Sequence, residues 1–524
     1  MSFLSQAKTK RFLSVHGWSG TILGLLLYVC IFTGSIVVFD NEIGTWSKGQ
    51  INESRTTLGP RIDHHFRTAA RDVDRSYYEE VSIFRTSEGD MRYIFHTHDT
   101  DPETGQIIEP KVDITLDPET GEVIERWEGL SSEQPRDAGS ALANFWVDLH
   151  VQLYLPNPYG LILVGVLGMM MMAAAISGII IHSHVFRDAF VAGRGSDRLV
   201  GARDLHVLAG TWGLPFAFIL AFTGAFFGFA TSVGIPVVAM SAFGGDQQAL
   251  IETVIGTPEE LDLTPAPMAS LDYVIMDATR RTGSEVSSID IRNYDSASAE
   301  ILVRAGAAEG SLISTPLAFD GVTRSFKGER PFIGQAPSLG SSLIGIMPPL
   351  HFGNFAGLAS KTVWLGMGLA MAYVTATGML LWTKRRQDVA LWQGFRRWIV
   401  VTVWGLPLAM LVSAVVFFLV MPAGDPHWWT PVGFLFGALF AIAVGLRRSD
   451  APEVLRLTNA LLCLSLPVLR HLTGGTSWSE AIIAGGEEIL VIDLLLLVFG
   501  LLLLRKSRQT KDERTTRLVQ EPAE

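Results

Sequence analysis

The sequence predicts an α-helical polytopic membrane protein with about eight transmembrane helices and two α+β extracytoplasmic domains, arranged as a tandem helix–domain–helix repeat. Three observations carry that expectation. Of 524 residues, 48% are hydrophobic and only 18% charged, a balance found in membrane proteins rather than soluble enzymes. Apolar runs long enough to cross the ~30 Å hydrocarbon core recur along the chain, with Lys and Arg at their flanks. The first of these runs is also repeated. His16 opens HGWSGTILGLLLYVCIFTGSIVVF and His206 opens HVLAGTWGLPFAFILAFTGAFFGF. Both place Gly at +4 (Gly20, Gly210), Phe-Thr-Gly at +16 to +18 (ending at Gly34 and Gly224) and Phe at +23 (Phe39, Phe229).

The elements follow in order. Lys8, Lys10 and Arg11 precede an apolar run without a small-x-small cleavage site, so 12–39 reads as an uncleaved first span with its N-terminus inside. Residues 40–145 are polar. They read as a helix (Ile62–Val73), a hairpin (VSIFRT, MRYIFHT) and two strands around the turn of VDITLDPETGEVIERW, with a similar Asp-Pro-Glu-Thr-Gly turn at 101–105. The second span lies in 150–184 and includes the Met169–Met172 run, and a basic cytoplasmic loop, 185–205, follows. The third span is 206–230. A second polar domain, 231–350, repeats helix (Ser270–Arg281) then strands (SSIDIRNY, AEILVRA, TPLAFDGVTRSFKG). The fourth span, 351–386, closes on Lys384-Arg385-Arg386, four more lie in 398–504, and a charged tail occupies 505–524.

Placing every basic cluster inside requires an even number of spans with both termini cytoplasmic. Trp428-Trp429 then falls in an outer aromatic belt. Leu149-His150 matches Leu350-His351, and Ser177-Gly178 matches Thr377-Gly378, so 12–186 and 202–388 read as two copies of one unit. The last four helices are an appendage to it.

The topology sorts four histidines by depth. His16 and His206 fall near the cytoplasmic face, and His150 and His351 near the outer face. A haem held by two neutral imidazoles needs a facing pair at one depth, and the repeat supplies two such pairs. His182 and His184 are alternative inner ligands, although their repeat equivalents are Trp382 and Lys384. A lone interfacial histidine is ordinarily a boundary residue; four at equivalent positions make the stronger case. In HGWSG and HVLAG, +4 and +18 fall on the histidine's own helical face, giving a glycine-lined surface for a flat macrocycle. His96-x-His98 shares a strand face and reads as polar surface in preference to a metal site. His64 and His65 lie in the first outer domain, and His427 and His471 have no evident partner.

Other chemistry is excluded. Cys30 and Cys463 are the only cysteines, both within apolar runs, so disulfide, iron–sulfur and c-type haem motifs are absent. No Gly-x-Gly-x-x-Gly or P-loop occurs, so electrons would come from quinol or a cytoplasmic reductase. A net charge of −11 and the lack of a basic stripe exclude nucleic acid.

Taken together, several short motifs resemble one family. They are His16-Gly17-Trp18 with Phe32-Thr33-Gly34 and Phe39-x-x-Glu42, Leu149-His150, and Asp204-Leu205-His206 with Thr223-Gly224. To these add Leu350-His351-Phe352-Gly353 with Thr377-Gly378 and Lys384-Arg385-Arg386, and DPETGEV at Asp117–Val123. Over about residues 10–390 this pattern resembles the PepSY-associated transmembrane proteins, a bacterial group that includes iron-regulated inner-membrane proteins and ferric-siderophore reductases. The resemblance implies periplasmic PepSY-like domains, two bis-histidine b-type haems on His16, His150, His206 and His351, and outward electron transfer, with ferric siderophores as one acceptor class. The last four helices lie outside the resemblance, and no flavin-reductase domain follows them.

The leading expectation is an inner-membrane dihaem b-type oxidoreductase, a haem-dependent transmembrane reductase serving iron acquisition. Its partners are membrane lipid, a periplasmic acceptor and an unnamed donor. The alternatives are a PepSY-type binding or regulatory membrane protein, and a transporter built on the last four helices. The transporter reading suffers from a lack of strong intramembrane charge.

Overall fold

The computed structural model describes residues 5–48, 57–58, 61–86, 89–102, 107–181, 198–246, 249–250, 253, 261–306, 312–331, 338–484 and 486–520. The first repeat begins with α1 (Gln6–Ile22) and α2 (Gly24–Val37), followed by α3 (Asp40–Lys48) and α4 (Ile62–Ala70). Strands β1 (Glu80–Arg85), β2 (Met91–His96), β3 (Asp99–Thr100), β4 (Ile107–Ile108), β5 (Pro110–Leu116) and β6 (Val123–Leu130) come next. Helices α5 (Ala141–Gln152) and α6 (Tyr159–Ile181) close the unit. The second repeat runs α7 (Arg198–Trp212), α8 (Leu214–Phe229), α9 (Ile235–Phe243) and α10 (Leu271–Thr282). It continues with β7 (Val286–Arg292), β8 (Glu300–Ala305), β9 (Leu317–Asp320), β10 (Phe326–Glu329), α11 (Leu339–Gly345), α12 (Met347–Phe352) and α13 (Gly357–Lys384). The C-terminal part is α14 (Ala390–Val420), α15 (Pro426–Arg447), α16 (Ala451–Leu472), α17 (Trp478–Ala484) and α18 (Glu487–Gln520).

Two expected spans are broken. α1 and α2 meet at a 67° bend, and α7 and α8 at a 64° bend. The breaks, at Leu23 and Gly213, stand at the same distance beyond His16 and His206. In the second repeat Pro215 removes a backbone donor just past Gly213, which ends one helix and starts the next. In the first, Gly24 sits so close to Met379 of α13 that a Cβ there would lie 2.7 Å from its sulfur. His16 and His206 also lie within helices instead of heading them. Ser5 caps α1, and Lys and Arg are good helix formers, so the helix begins in the basic segment. Similarly, His150 and His351 sit on α5 and α12, separate helices ahead of α6 and α13. The single glycine-lined face joining His16 to Gly34 therefore does not exist.

Five helices are long and apolar enough to cross a membrane, and counting each bent pair as one span gives seven among the described residues. The expected eighth, 489–504, is the apolar part of α18, about 24 Å long at 1.5 Å per residue, and it contains Asp493.

The two polar stretches share one eight-stranded sheet, beside which β3 and β4 form a separate two-stranded ribbon. The order of the larger sheet is β10-β9-β8-β7-β1-β2-β5-β6, all antiparallel. Each half is a helix followed by a four-stranded meander, much as the alternation of apolar residues predicts. The join is β1 against β7, where Val81 faces Ile291 and Ile83 faces Ile289, all four fully buried. Burying these residues against α4 (Ile62, Phe66, Ala69) and α10 (Leu271, Val274, Ala278) makes one core across both halves. Asp63 of α4 accepts from the Leu271 backbone N–H (3.1 Å), fastening the helices together.

On the other face of β1 and β2, His96 Nε2 lies 3.5 Å from Glu80. The Glu80 carboxylate raises the His96 pKa above its ordinary 6.5, and His96 holds Glu80 below 4.5. The imidazolium's contribution is complete below pH 6.5 and is lost as pH rises through the raised value. The carboxylate's contribution is complete above pH 4.5 and is lost as pH falls through the lowered value. His96→Gln should thus lower stability at pH 5.5 by no more than about 1 kcal/mol, and leave it unchanged at pH 9. Thermal melts at the two pH values check this.

The C-terminal helices dock on the first repeat. α15 presents Gly433, Gly437, Ala441 and Gly445 at four-residue intervals, letting α14 approach backbone to backbone. Trp146 of α5 donates to Ser413 of α14 (3.0 Å). Asp493 of α18, 0% exposed, accepts from Trp46 (2.8 Å), Trp478 (2.9 Å) and Arg470 (2.7 Å), the last itself only 1% exposed. The expected lack of intramembrane charge is therefore corrected: one acid and one base, apart in sequence, neutralise each other inside the bundle. Lys361 of α13 and Glu42 of α3 form a second half-buried pair (2.7 Å), linking the two repeats.

Candidate cofactor site

His150 and His351 come together. Their ring centroids are 6.2 Å apart with planes inclined by 25°. α5 ends just past His150, where Leu153 turns left-handed, and Gly353 likewise ends α12 past His351. His150 Nδ1 donates to the Cys30 carbonyl of α2 (2.9 Å). His351 Nδ1 lies 2.8 Å from Thr223 Oγ1 of α8, whose own hydrogen goes to the Ile219 carbonyl. With that hydrogen on the carbonyl, the threonine oxygen accepts, and the hydrogen-bond pattern assigns the proton to Nδ1 in both rings. Each Nε2 is left with a free lone pair.

The other two histidines follow the same rule. His16 Nδ1 donates to the Ala174 carbonyl of α6 (2.9 Å), with Ser177 Oγ at 3.4 Å. His206 Nδ1 lies 3.1 Å from Thr377 Oγ1 of α13, whose hydrogen goes to the Tyr373 carbonyl. The alternative inner ligands, His182 and His184, lie outside the described residues.

Glycines complete each cradle. A Cβ on Gly34 would stand 2.6 Å from His150 Cε1, and one on Gly224 3.2 Å from His351 Cε1. The corresponding distances are 3.4 Å from Gly178 to His16 and 3.1 Å from Gly378 to His206. Each of these glycines thus serves the histidine on the opposite helix of its own repeat, not one on its own helix, joined by Ser177, Thr223 and Thr377 but not by Thr33. Periodicity along an unbroken helix had assigned Gly34 to His16; the bend at Leu23 hands it to His150. A Cβ on Gly20 would meet nothing within 4 Å and one on Gly210 only Val374, so neither touches a histidine ring.

These residues fit a metal held between two imidazoles. With metal–nitrogen bonds of ~2 Å, two rings on opposite sides of one ion have centres about 6 Å apart. A second-layer hydrogen bond on Nδ1 is the usual way to orient such a ligand and raise its basicity. Phe227, 5.4 Å from His351, adds an apolar wall. Among the described residues no group of three or more His, Cys, Asp or Glu is placed to hold a metal alone. The donor set therefore suits a metal whose remaining ligands come with it, as in haem.

The family described as the PepSY-associated TM region matches residues 13–385. The chain belongs to this family. The PepSY-associated region contains all four cradled histidines and both halves of the sheet, and it stops before α14. A relative, Uncharacterized protein PA4219 of Pseudomonas aeruginosa, is 27% identical over 261 residues, 46% of this chain. The chain spans 63% of that protein's length.

Three of the other described histidines belong to the polar, sheet-forming region. His96 and His98 each face a glutamate, Glu80 and Glu79. His65 is buried beneath the Asp117–Gly121 turn, and burial lowers its pKa. The hydrogen-bond acceptors Ser177, Thr223 and Thr377 appeared in the sequence only as repeat markers. The Cys30 and Ala174 carbonyls had no sequence signal.

Proposed function

We propose that this chain is a bacterial inner-membrane oxidoreductase that carries electrons across the membrane through two b-type haems. His16 and His206 would hold the inner haem, and His150 and His351 the outer. Bound there, the haem supplies reversible one-electron transfer between ferric and ferrous iron. The observation that carries this reading is the outer pair: two neutral imidazoles 6.2 Å apart, both with Nδ1 engaged and Nε2 free. The chain's own work is positional. The Cys30 carbonyl and Thr223 hydroxyl hold the outer rings in one tautomer and one orientation, and Gly34 and Gly224 let each ring pack against a helix backbone. The apolar faces of α2 and α8 exclude water, which tunes the potential.

In this reading α18 crosses as an eighth span with the Asp493 charge neutralised by Arg470. Both termini are then cytoplasmic and the sheet is periplasmic, as the basic clusters require. A ferric siderophore is the acceptor class proposed for the periplasmic side, because Fe(II) is held less tightly than Fe(III) by hard oxygen ligands. Proteoliposomes with trapped dithionite test this. External ferric chelate should be reduced, read with a ferrous-specific dye, and His351→Ala should slow the reduction at least tenfold. Equal rates in protein-free vesicles would overturn the reading in favour of a binding or transport role.

A further inference from the structure

A cavity of ≈ 350 Å³ opens beside α5. Its lining includes Arg136, Asn144, Phe145, Asp148, Tyr154 and His427. Asn144 and Asp148 are one turn apart on one face of α5. His150 stands two residues past Asp148, about 200° further round the helix, so it points to the opposite side. The cavity and the outer histidine pair are thus separated by the width of a single helix, about 10 Å.

The position of the cavity says how a ligand would reach it. His427 lies in the first turn of α15, a membrane-spanning helix. Its neighbours Trp428 and Trp429 are 66% and 44% exposed, as tryptophans at a bilayer interface are. A ligand that partitions into lipid with a polar end at the surface would meet this opening directly.

The lining says what that ligand is. Tyr154 and Phe145 meet edge to face at 5.1 Å and form an apolar wall suited to a flat ring. Arg136 and Asn144 supply donors for ring carbonyls; one Asn144 amide hydrogen already goes to Ser140 (2.9 Å), leaving the other. His427 Nε2 donates to the Asp137 carbonyl (3.0 Å), so its Nδ1 is an acceptor, and Asp148 is a second. Donors for carbonyl oxygens and acceptors for hydroxyl hydrogens in one pocket match the two forms of a single molecule.

We propose that this cavity binds the headgroup of a lipid-soluble quinone. The choice of a redox-active ring rests on the electron-transfer reading above; the shape, depth and polarity of the pocket do not. The site would place the quinone ring across α5 from His150, in a protein whose sequence carries no nicotinamide or flavin motif.

Binding is tested without turnover. Purified full-length protein, with and without haem, is titrated with decylubiquinone and separately with a short-chain menaquinone, following quenching of tryptophan fluorescence. Saturable quenching is expected in both preparations. Asn144→Phe, which fills the cavity from an exposed position on α5, should weaken binding at least about tenfold, and His427→Leu about fivefold. Linear, unsaturable quenching, or wild-type binding by a well-folded Asn144→Phe variant, would overturn the inference. Haem-bearing protein that fails to bind quinone defeats only this inference; colourless protein that binds it defeats only the electron-transfer reading.

Discussion

His351→Ala is expected to leave the purified protein with about one haem per chain in place of two, and to remove one low-spin bis-histidine signal entirely. The reason is geometric. The His351 and His150 ring centroids are 6.2 Å apart, and among the described residues no other histidine ring pairs with His150. Losing His351 leaves a single imidazole where two are needed, and the loss of an outright ligand exceeds the 10–100-fold typical of removing its hydrogen-bond partner. The inner site should survive, because His16 and His206 are held by α6 and α13 residues that do not touch His351. His206→Ala should produce the complementary spectrum. Should His184→Ala instead behave as His206→Ala does, the inner ligand belongs to the 182–184 segment. Pyridine haemochrome assay and low-temperature EPR on the three variants distinguish these outcomes.

Asp493→Leu is expected to be the most destabilising single change in the C-terminal bundle, by about 3–5 kcal/mol. Asp493 is the shared acceptor of Trp46, Trp478 and Arg470. Its removal strands the Arg470 guanidinium, 1% exposed, without a counter-charge in an apolar bundle. It also frees α18 from α3, the helix that continues α2 beyond the Gly34 cradle. Replacing both charges restores part of the loss, since a buried pair exchanged for apolar residues of similar volume is often neutral. Asp493→Leu with Arg470→Met should therefore melt higher than Asp493→Leu alone. Thermal unfolding in detergent provides the ranking, and equal melting of the single variant and wild type would refute the clamp.

Much of this architecture was legible because local pattern and tertiary role agree. The period-2 alternation of VSIFRT and MRYIFHT places Val81, Ile83, Tyr93 and Phe95 in one core, where they are found. The repeat of His16 and His206 carried over to matched breaks as well as matched cradles. What the sequence could not convey is long-range. Nothing local to β1 or β7 says that they pair, so two domains were expected where one eight-stranded sheet spans both stretches. The apolar run from Gly17 to Phe39 contains no proline, so its bend at Leu23 has no marker. Helical periodicity then tied Gly34 to the wrong histidine. The Asp493–Arg470 pair had no local signal, because acid and base sit on different helices. The approach of His150 to His351 was readable, because the two hold equivalent positions in the repeat.

The central claim is that the four cradled histidines hold two haems. The most direct measurement is the haem content and visible spectrum of full-length protein purified from haem-replete cells. The account predicts a red protein with two b-type haems per chain and a Soret band that sharpens and shifts on dithionite reduction. A colourless, correctly folded protein would contradict it.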